Sequence, residues 1–177
     1  MFSGSVKQNI IFGQPFDKDR YMKVLEVCAL EYDLKIWKDH DNTLVGERGV
    51  ILSGCRCCYY TSFHFLNEFC SGGQKARISL ARAVYREADI YLLDDPLSAV
   101  DTHVARHLFE QCMRNFLANK SVLLVTHQLQ FAKRCDNVCV LSKGCITHTG
   151  PYKDISKGSN TDSFLTQEYE CINDERR

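Results

Sequence analysis

Residues 71–95 carry side chains and backbone suited to nucleotide chemistry. The Gly72-Gly73 pair lets backbone N–H groups approach a ligand, and a helix that begins there directs its positive end at the same loop. Further along, Asp94 and Asp95 follow an apolar run. A phosphate cradle beside two carboxylates suited to Mg²⁺ and water predicts a nucleotide site. A solvated turn after a strand is the alternative interpretation of the two carboxylates taken alone.

A small set of elements must position these residues. The apolar spacing predicts a helix over residues 72–85. Residues 90–93 predict a strand buried on both faces, whose carboxyl end lies at the edge where open α/β sheets bind ligands. A helix over residues 102–117, with Asp101 as its N-cap, leads to a second buried strand over residues 121–126. Strand, helix and strand predict a βαβ unit with parallel pairing.

Helices are predicted before this unit and a strand pair after it. The further elements are helices over residues 5–12 and 17–34, a short helix to Trp37, strands over 137–141 and 145–149, and a short helix over 151–155. Residues 159–177 are polar and predict a loosely ordered tail.

Composition excludes several classes of function. The 177 residues contain 22 Lys plus Arg and 22 Asp plus Glu, so no excess of positive charge indicates a nucleic-acid partner. No apolar run is long enough to span a bilayer, and we expect no signal peptide because the first residues lack an apolar core. The ten cysteines are scattered, which favours a reducing environment over a disulfide framework.

Four short motifs resemble those of ATP-binding cassette (ABC) proteins, in the same order. SGGQ followed by KARISLARA resembles the signature motif, IYLLDD the Walker B strand, SAVD the D-loop, and VTHQ the switch-histidine segment. The run DDPLSAVD, with Asp95 where most cassettes have Glu, is similar to the first nucleotide-binding domain of subfamily C exporters of the multidrug-resistance-associated type. The resemblance covers residues 2–157 apart from one insert.

The resemblance implies a fold and a domain organisation. The fold expected is α/β, a partial P-loop NTPase (ABC ATPase) fold with a mainly parallel sheet and a helical subdomain. Residues 1–158 would form the C-terminal part of a nucleotide-binding domain. Within them, residues 5–86 would be the helical subdomain and residues 87–158 the core that carries Walker B, the D-loop and the switch histidine.

The resemblance also implies roles for individual residues toward ATP and Mg²⁺. Asp94 would hold Mg²⁺, Asp95 would stand at the position of the catalytic glutamate, and His127 would contact the γ-phosphate. Asp95 is one methylene shorter than glutamate and reaches the attacking water poorly. The residues that would contact a nucleotide held by the opposite domain, or reach across that interface, are Ser71, Gly72, Gly73, Gln74 and Asp101. A structural histidine and an N-cap aspartate are the simpler interpretations of His127 and Asp101.

The partners implied are a second nucleotide-binding domain, paired head to tail, and the transmembrane domains of the same transporter. The chain would then lie at the cytoplasmic face of a membrane and couple ATP binding and hydrolysis to the export of organic anions or xenobiotics. The helical region over residues 5–37 would receive the transmembrane domains. A helical subdomain without a partner is the other interpretation of that region.

The chain departs from the family in lacking a Walker A motif, G-x-x-x-x-G-K-[ST]. The P-loop supplies most of the grip on phosphates within one domain, so we expect this polypeptide alone to bind ATP weakly and not to hydrolyse it. A catalytically inactive fragment that occupies another domain's dimer surface is therefore an alternative function. An ABC ATPase of the DNA-repair type is disfavoured, because sustained heptads and a basic excess are absent.

The signature is also split by an insert over residues 53–70. Its removal restores an uninterrupted LSGGQ. The insert contains Cys55, Cys57, Cys58, His64 and Cys70, which makes a zinc site conceivable, although the spacing lacks the paired C-x₂-C of common structural sites. The insert is rich in Tyr, Ser, Phe and Cys, whose codons are pyrimidine-rich like the end of an intron. This favours a retained intron or a gene-model error.

Overall fold

The computed structural model describes residues 2–45 and 70–156. The chain divides into two compact units, Met1–Thr126 and His127–Arg177. The boundary falls within the predicted core of residues 87–158, and the predicted domain organisation stays a prediction. The tail and the insert lie outside the described residues, apart from Cys70 at the insert's end.

Seven helices and six strands make up the described part of the chain. The helices are α1 (Val6–Ile11), α2 (Lys18–Val27), α3 (Glu31–Ile36), α4 (Gly72–Tyr85), α5 (Thr102–His107), α6 (Leu129–Ala132) and α7 (Tyr152–Ser156). The strands are β1 (Gly4–Ser5), β2 (Leu44–Val45), β3 (Ile90–Asp94), β4 (Ser121–Val125), β5 (Val138–Ser142) and β6 (Cys145–Gly150). A 3₁₀ turn at His40–Asn42 precedes β2, and a π-helical segment, Leu108–Phe116, continues α5.

The first unit contains a helical layer in which α1 and α2 pack against α4. Its enclosed apolar side chains recur at the three- and four-residue spacing of amphipathic helices. They include Val6 and Ile10 of α1, Tyr21, Val24 and Leu25 of α2, and Ile78, Ala81, Val84 and Tyr85 of α4. The predicted helix over residues 72–85 is confirmed with the same bounds.

The break between α2 and α3 corrects the prediction of one helix over residues 17–34. The N–H of Leu30 donates to the carbonyl of Leu25 at 2.9 Å, and the N–H of Ala29 donates to that of Glu26 at 3.0 Å. With Ala29 at φ 54°, this is a Schellman motif, which ends a helix and turns the chain. Glycine usually occupies this position, so the alanine gave no sequence signal for the break.

Polar contacts tie α2 to the end of α4. Arg20 donates to the carbonyls of Val84 and Tyr85, each at 2.8 Å, and so satisfies acceptors that a helix C-terminus leaves open. The Tyr85 hydroxyl accepts from the N–H of Asp17 and donates to the carbonyl of Pro15, each at 2.8 Å. These bonds fix the turn before α2 against the helix that follows the signature.

The strands β3 and β4 pair in parallel, with Ile90 opposite Ser121 and Asp94 opposite Val125. The connection through α5 and the π-helical segment confirms the predicted βαβ unit. Two further pairs, β1–β2 and β5–β6, are antiparallel, so the wider parallel sheet stays a prediction.

The prediction that β3 and β4 are buried on both faces is wrong for the described residues. Tyr91 and Leu93 are enclosed, whereas Ile90, Leu92, Leu123 and Val125 are 65, 73, 60 and 55% exposed. Alternate residues of a strand point to opposite faces, and the described helices cover only one of them. We refer to these four residues as the open face of the strand pair.

The second unit contains the hairpin β5–β6 and the short helices α6 and α7. Lys143 and Gly144 form its turn with φ of 49° and 80°, the positive values of a type I′ hairpin turn. The predicted late strands are thus confirmed. Among the described residues, no helix is both long enough and apolar enough to cross a bilayer.

Candidate functional site

The signature residues form the start of α4. Ser71 is its N-cap: the Ser71 hydroxyl accepts from the N–H of Gln74 at 3.2 Å, and the Gln74 side-chain oxygen accepts from the N–H of Ser71 at 2.8 Å. This reciprocal pair is a capping box. It leaves the N–H groups of Gly72 and Gly73 in the first turn without partners inside the helix, where they suit an anion.

A buried carboxylate of α3 holds the same segment from inside. Asp33 is 5% exposed and accepts from the Gln74 side-chain amide at 2.7 Å. It also forms an ion pair of 2.6 Å with Arg77, which in turn donates to the carbonyls of Ala29 and Gly73. Asp33 was not among the site residues predicted from sequence. The spacing of Leu30, Asp33 and Trp37 could have indicated it, because it places Asp33 on the same buried side of α3 as the two apolar residues.

Gly73 brings the signature and the predicted D-loop together. A Cβ added at Gly73 would lie 2.8 Å from the backbone oxygen of Ala99 and 3.5 Å from Val100. Among the described residues, no atom other than those of the sequence neighbours and of the α4 backbone lies within 4 Å of the corresponding position at Gly72. Residues 71–74 and 98–101 therefore adjoin, and only a glycine at position 73 permits that approach.

The two carboxylates stand at the end of β3, as the strand prediction requires. Asp94 is exposed and is the last residue of the parallel pairing. Asp95 has φ 42°, and its N–H donates to the carbonyl of Val125 at 2.9 Å while its own carbonyl accepts from the Ser98 hydroxyl at 3.0 Å. Asp95 thus begins a tight turn, and aspartate tolerates this conformation better than most residues.

Asp101 is the N-cap of α5, as predicted. Its carboxylate accepts from the N–H groups of Val104 and His103, each at 3.0 Å. The bonds from Val104 and then His103 lower the pKa of Asp101, because they favour the charged carboxylate. The side chain is exposed, so the cap leaves it accessible from solvent.

The first unit therefore holds Ser71, Gly72, Gly73, Gln74, Asp94, Asp95 and Asp101, and places the first four beside residues 98–101. His127 is exposed and is the first residue of the second unit, two residues after β4. The nucleotide and catalytic roles of all these residues stay predictions.

Arg82 of α4 lies among aromatic and amide groups where α4 packs against α1. Its guanidinium donates to the Asn9 carbonyl at 2.7 Å and lies 4.8 Å from the centre of the Phe12 ring and 5.5 Å from that of Phe2. Burial lowers the pKa of Arg82. Arg82 therefore fastens α1 to α4.

The donor set suits Mg²⁺ only in part. In the described ranges, 2–45 and 70–156, no three His, Cys, Asp or Glu residues gather into a metal-binding group. Asp94 alone offers an exposed carboxylate at a rigid strand end, which fits a cation that takes its other ligands from phosphate and water. The zinc alternative rests on Cys55, Cys57, Cys58 and His64, outside the described residues. Cys70 is buried, which raises the pKa of its thiol.

Comparison with known proteins assigns the family. A family model described as ABC transporter matches residues 61–98. The chain is 49% identical over 182 residues to the probable multidrug resistance-associated protein lethal(2)03659 of Drosophila melanogaster, covering 98% of the chain and 12% of that relative. It is 45% identical over 171 residues to ATP-binding cassette sub-family C member 4 of Homo sapiens, covering 96% of the chain and 12% of that relative.

A third relative, ABC transporter C family member 12 of Dictyostelium discoideum, is 43% identical over 169 residues, 96% of the chain and 11% of its own length. The chain thus spans about an eighth of the length of the curated relatives it matches. The match runs through the capped helix, the strand carboxylates and the N-cap aspartate described above. This chain belongs to the ABC transporter family, in its multidrug-resistance-associated subfamily C.

Proposed function

We propose that the chain is a portion of the nucleotide-binding domain of an ATP-driven exporter. In the complete protein, ATP binding and hydrolysis would be coupled to the export of organic anions or xenobiotics. The observation that carries the proposal is the contact of Gly73 with Ala99, because it joins the signature and the D-loop segment into one surface. Two segments with predicted roles at a shared nucleotide interface would need that adjacency.

On that surface, the N–H groups of Gly72 and Gly73 would bind the phosphates of an ATP held by a second nucleotide-binding domain. The α4 dipole favours a negative group at the same point. Ser71 and Gln74 would act by holding the first turn of α4 in shape, since each side-chain oxygen accepts from the backbone N–H of the other residue. Asp101 would meet the second domain from the neighbouring segment.

Asp94 would hold Mg²⁺ together with phosphate oxygens and water, and the ion would neutralise charge on the phosphates. Asp95 and His127 would orient the attacking water and the γ-phosphate. Because the Asp95 backbone is committed to the turn with Val125 and Ser98, its carboxylate extends from a fixed point and is one methylene shorter than glutamate. We therefore propose a weakly hydrolysing site.

The transmembrane domains of the same transporter would dock on the helical layer, and this would place the chain at the cytoplasmic face of a membrane. Tyr32 and Ile36 of α3 support this docking, as they are 74 and 62% exposed. Large exposed apolar side chains close together favour a protein partner over solvent.

The test is ATP-dependent association of the purified chain with an intact subfamily C cassette that has its own Walker A motif. Gly72→Glu places a carboxylate where no described residue crowds the added side chain, so it should leave folding intact yet repel the phosphates. Gly72→Ala is the matched control. We expect association with ATP and Mg²⁺, loss of it in Gly72→Glu, and retention in Gly72→Ala. Association that needs no ATP, or that survives Gly72→Glu, would contradict the proposal.

A second candidate function is a catalytically inactive piece that occupies a partner's dimer surface. It would use the same surface, on which Gly73 adjoins Ala99, without a working site of its own. Titration of the chain into an intact cassette distinguishes the two functions through the partner's ATPase rate. Inhibition that saturates supports the inactive piece, whereas stimulation supports a working interface.

A further inference from the structure

Asp33 stands where α3 meets the start of α4. Its neighbour Tyr32 differs sharply from it, since Tyr32 is 74% exposed whereas Asp33 is 5% exposed. A carboxylate is rarely buried unless it is paired and hydrogen-bonded. Here one oxygen accepts from Gln74 and Arg77, and the other forms the 2.6 Å contact with Arg77.

The bonds of Gln74 extend this contact to the helix cap. The Gln74 amide nitrogen donates to Asp33 at 2.7 Å, while its oxygen accepts from the Ser71 N–H at 2.8 Å. Both the nitrogen and the oxygen of the Gln74 amide thus have hydrogen-bond partners, and these partners determine the orientation of the amide. A continuous path of hydrogen bonds runs from the Asp33 carboxylate to the backbone of Ser71.

Arg77 provides a second connection to the same turn. Its guanidinium is held by Asp33 and by the carbonyl of Ala29, and its Nε donates to the Gly73 carbonyl at 3.4 Å. Charge-assisted bonds of this kind are stronger and more directional than neutral ones. Asp33 therefore fixes the first turn of α4 from two positions, residues 73 and 74.

We propose that Asp33 is a positioning residue, which holds the signature segment Ser71 to Gln74 through Gln74 and Arg77 and links its geometry to the exposed side of α3. Its functional part rests on the function proposed above. A displacement of α3, whose Tyr32 and Ile36 point outward, is transmitted through Asp33 to the N–H groups of Gly72 and Gly73. Asp33 itself contacts neither nucleotide nor metal.

The first test is amide hydrogen exchange of the full chain, followed residue by residue by NMR. Asp33→Asn removes the charge with little change of shape, and Glu31→Gln makes the same change at an exposed position of α3. We expect exchange at Ser71 and Gln74 to become about tenfold faster in Asp33→Asn, because bonds to a charged partner are lost. Glu31→Gln and the hairpin β5–β6 should be unchanged. Unchanged exchange at Ser71 and Gln74, or an equal rise throughout α4, would overturn the proposal.

A second variant tests the proposal if Asp33→Asn fails to fold, since an unpaired Arg77 could unfold the helical layer. Gln74→Leu cuts the path to Ser71 and leaves the ion pair of Asp33 with Arg77 intact. Faster exchange at Ser71, with Arg77 protected as in the wild type, is the result expected. Protection of Ser71 equal to the wild type would overturn the proposal.

ATP-dependent association with the intact cassette measures the functional consequence. Asp33→Asn should weaken it about tenfold if the wild type associates. Equal association of Asp33→Asn and wild type would overturn the link to function. A wild type that does not associate contradicts the function proposed for the chain, and the exchange results then still decide whether Asp33 positions the segment.

Discussion

Helices α1, α2 and α4 each enclose one stripe of apolar side chains, whereas the strand pair β3–β4 leaves half of its apolar side chains uncovered. Leu30, between α2 and α3, is fully enclosed, while Leu92 of β3 is 73% exposed. An amphipathic helix needs cover along one stripe, and α1, α2 and α4 supply that cover to one another. A parallel strand rich in apolar residues needs cover on both faces.

The two regions differ in whether their apolar residues are covered by other described parts of the chain. The enclosed apolar residues of the helical layer are explained by contacts within the described residues. Those of the open face are not, so we expect a further layer to pack against them in the complete domain. Four predictions test this difference.

The largest effect is expected from Leu30→Ala set against Leu92→Ala. Removing an enclosed leucine leaves a cavity and should cost about 2–5 kcal/mol of the free energy of unfolding. The same change at Leu92 should cost less than about 0.5 kcal/mol, because solvent already reaches that side chain. Urea denaturation of the chain measures both. Equal losses would show that the open face is covered in solution.

The junction of the two regions is tested by Gly73→Ala against Gly72→Ala. A methyl group at position 73 would meet the Ala99 backbone at 2.8 Å, which cannot move aside as a side chain can. We expect a loss of about 1–3 kcal/mol at Gly73. At Gly72 we expect no loss, since an added methyl group would meet none of the residues that the structure describes. Thermal unfolding of the two variants provides the comparison, and similar midpoints would argue against the contact.

Polar ties within the helical layer are tested by Tyr85→Phe. The variant leaves the Asp17 N–H and the Pro15 carbonyl without the hydroxyl, which should cost about 1–2 kcal/mol. Tyr32→Phe removes a hydroxyl from a side chain that is 74% exposed, and should be neutral. Denaturant midpoints distinguish the pair. A neutral Tyr85→Phe would mean that the hydroxyl does not fix the turn before α2.

The smallest effect concerns the pH dependence of the Asp101 cap. Its folded pKa lies below the ordinary value of 3.8, so the cap stabilises α5 fully above that pH. The contribution is lost as the pH falls below 3.8 through the folded value. An NMR titration of the Asp101 carboxyl should give a midpoint below 3.8, and Asp101→Asn should remove this part of the acid dependence. A midpoint at or above 3.8 would contradict the cap.

Local signals in the sequence predicted much of the structure. The capped helix α4, the Asp101 cap, the parallel pair β3–β4 and the β5–β6 hairpin all follow from periodicity and capping residues. The break after α2 was not predictable, because it depends on Ala29 in a conformation that glycine usually adopts. Nor were the Asp33–Arg77 pair and the Arg82 site, since each needs a partner more than forty residues away.

The sequence predicted the positions of the site residues better than it predicted what those residues bind. The strand ends, the glycine pair and the caps were located from sequence, and the structure places them on the expected elements. In the proposed function, the ligand of these residues is held partly by a second domain. The distances between these residues and that domain cannot be obtained from this chain alone. His127, which begins a separate unit, is the clearest instance.

The open face has a consequence for the chain in a cell. Ile90, Leu92, Leu123 and Val125 present an apolar strand surface of the kind that chaperones bind and that seeds self-association. While that surface is uncovered, we expect chaperones to retain the polypeptide and proteases to degrade it, and we expect self-association to increase with its concentration. The cellular lifetime of the chain would then depend on whether another layer covers the open face. The abundance of the chain would therefore indicate whether the domain has assembled, without a transport assay.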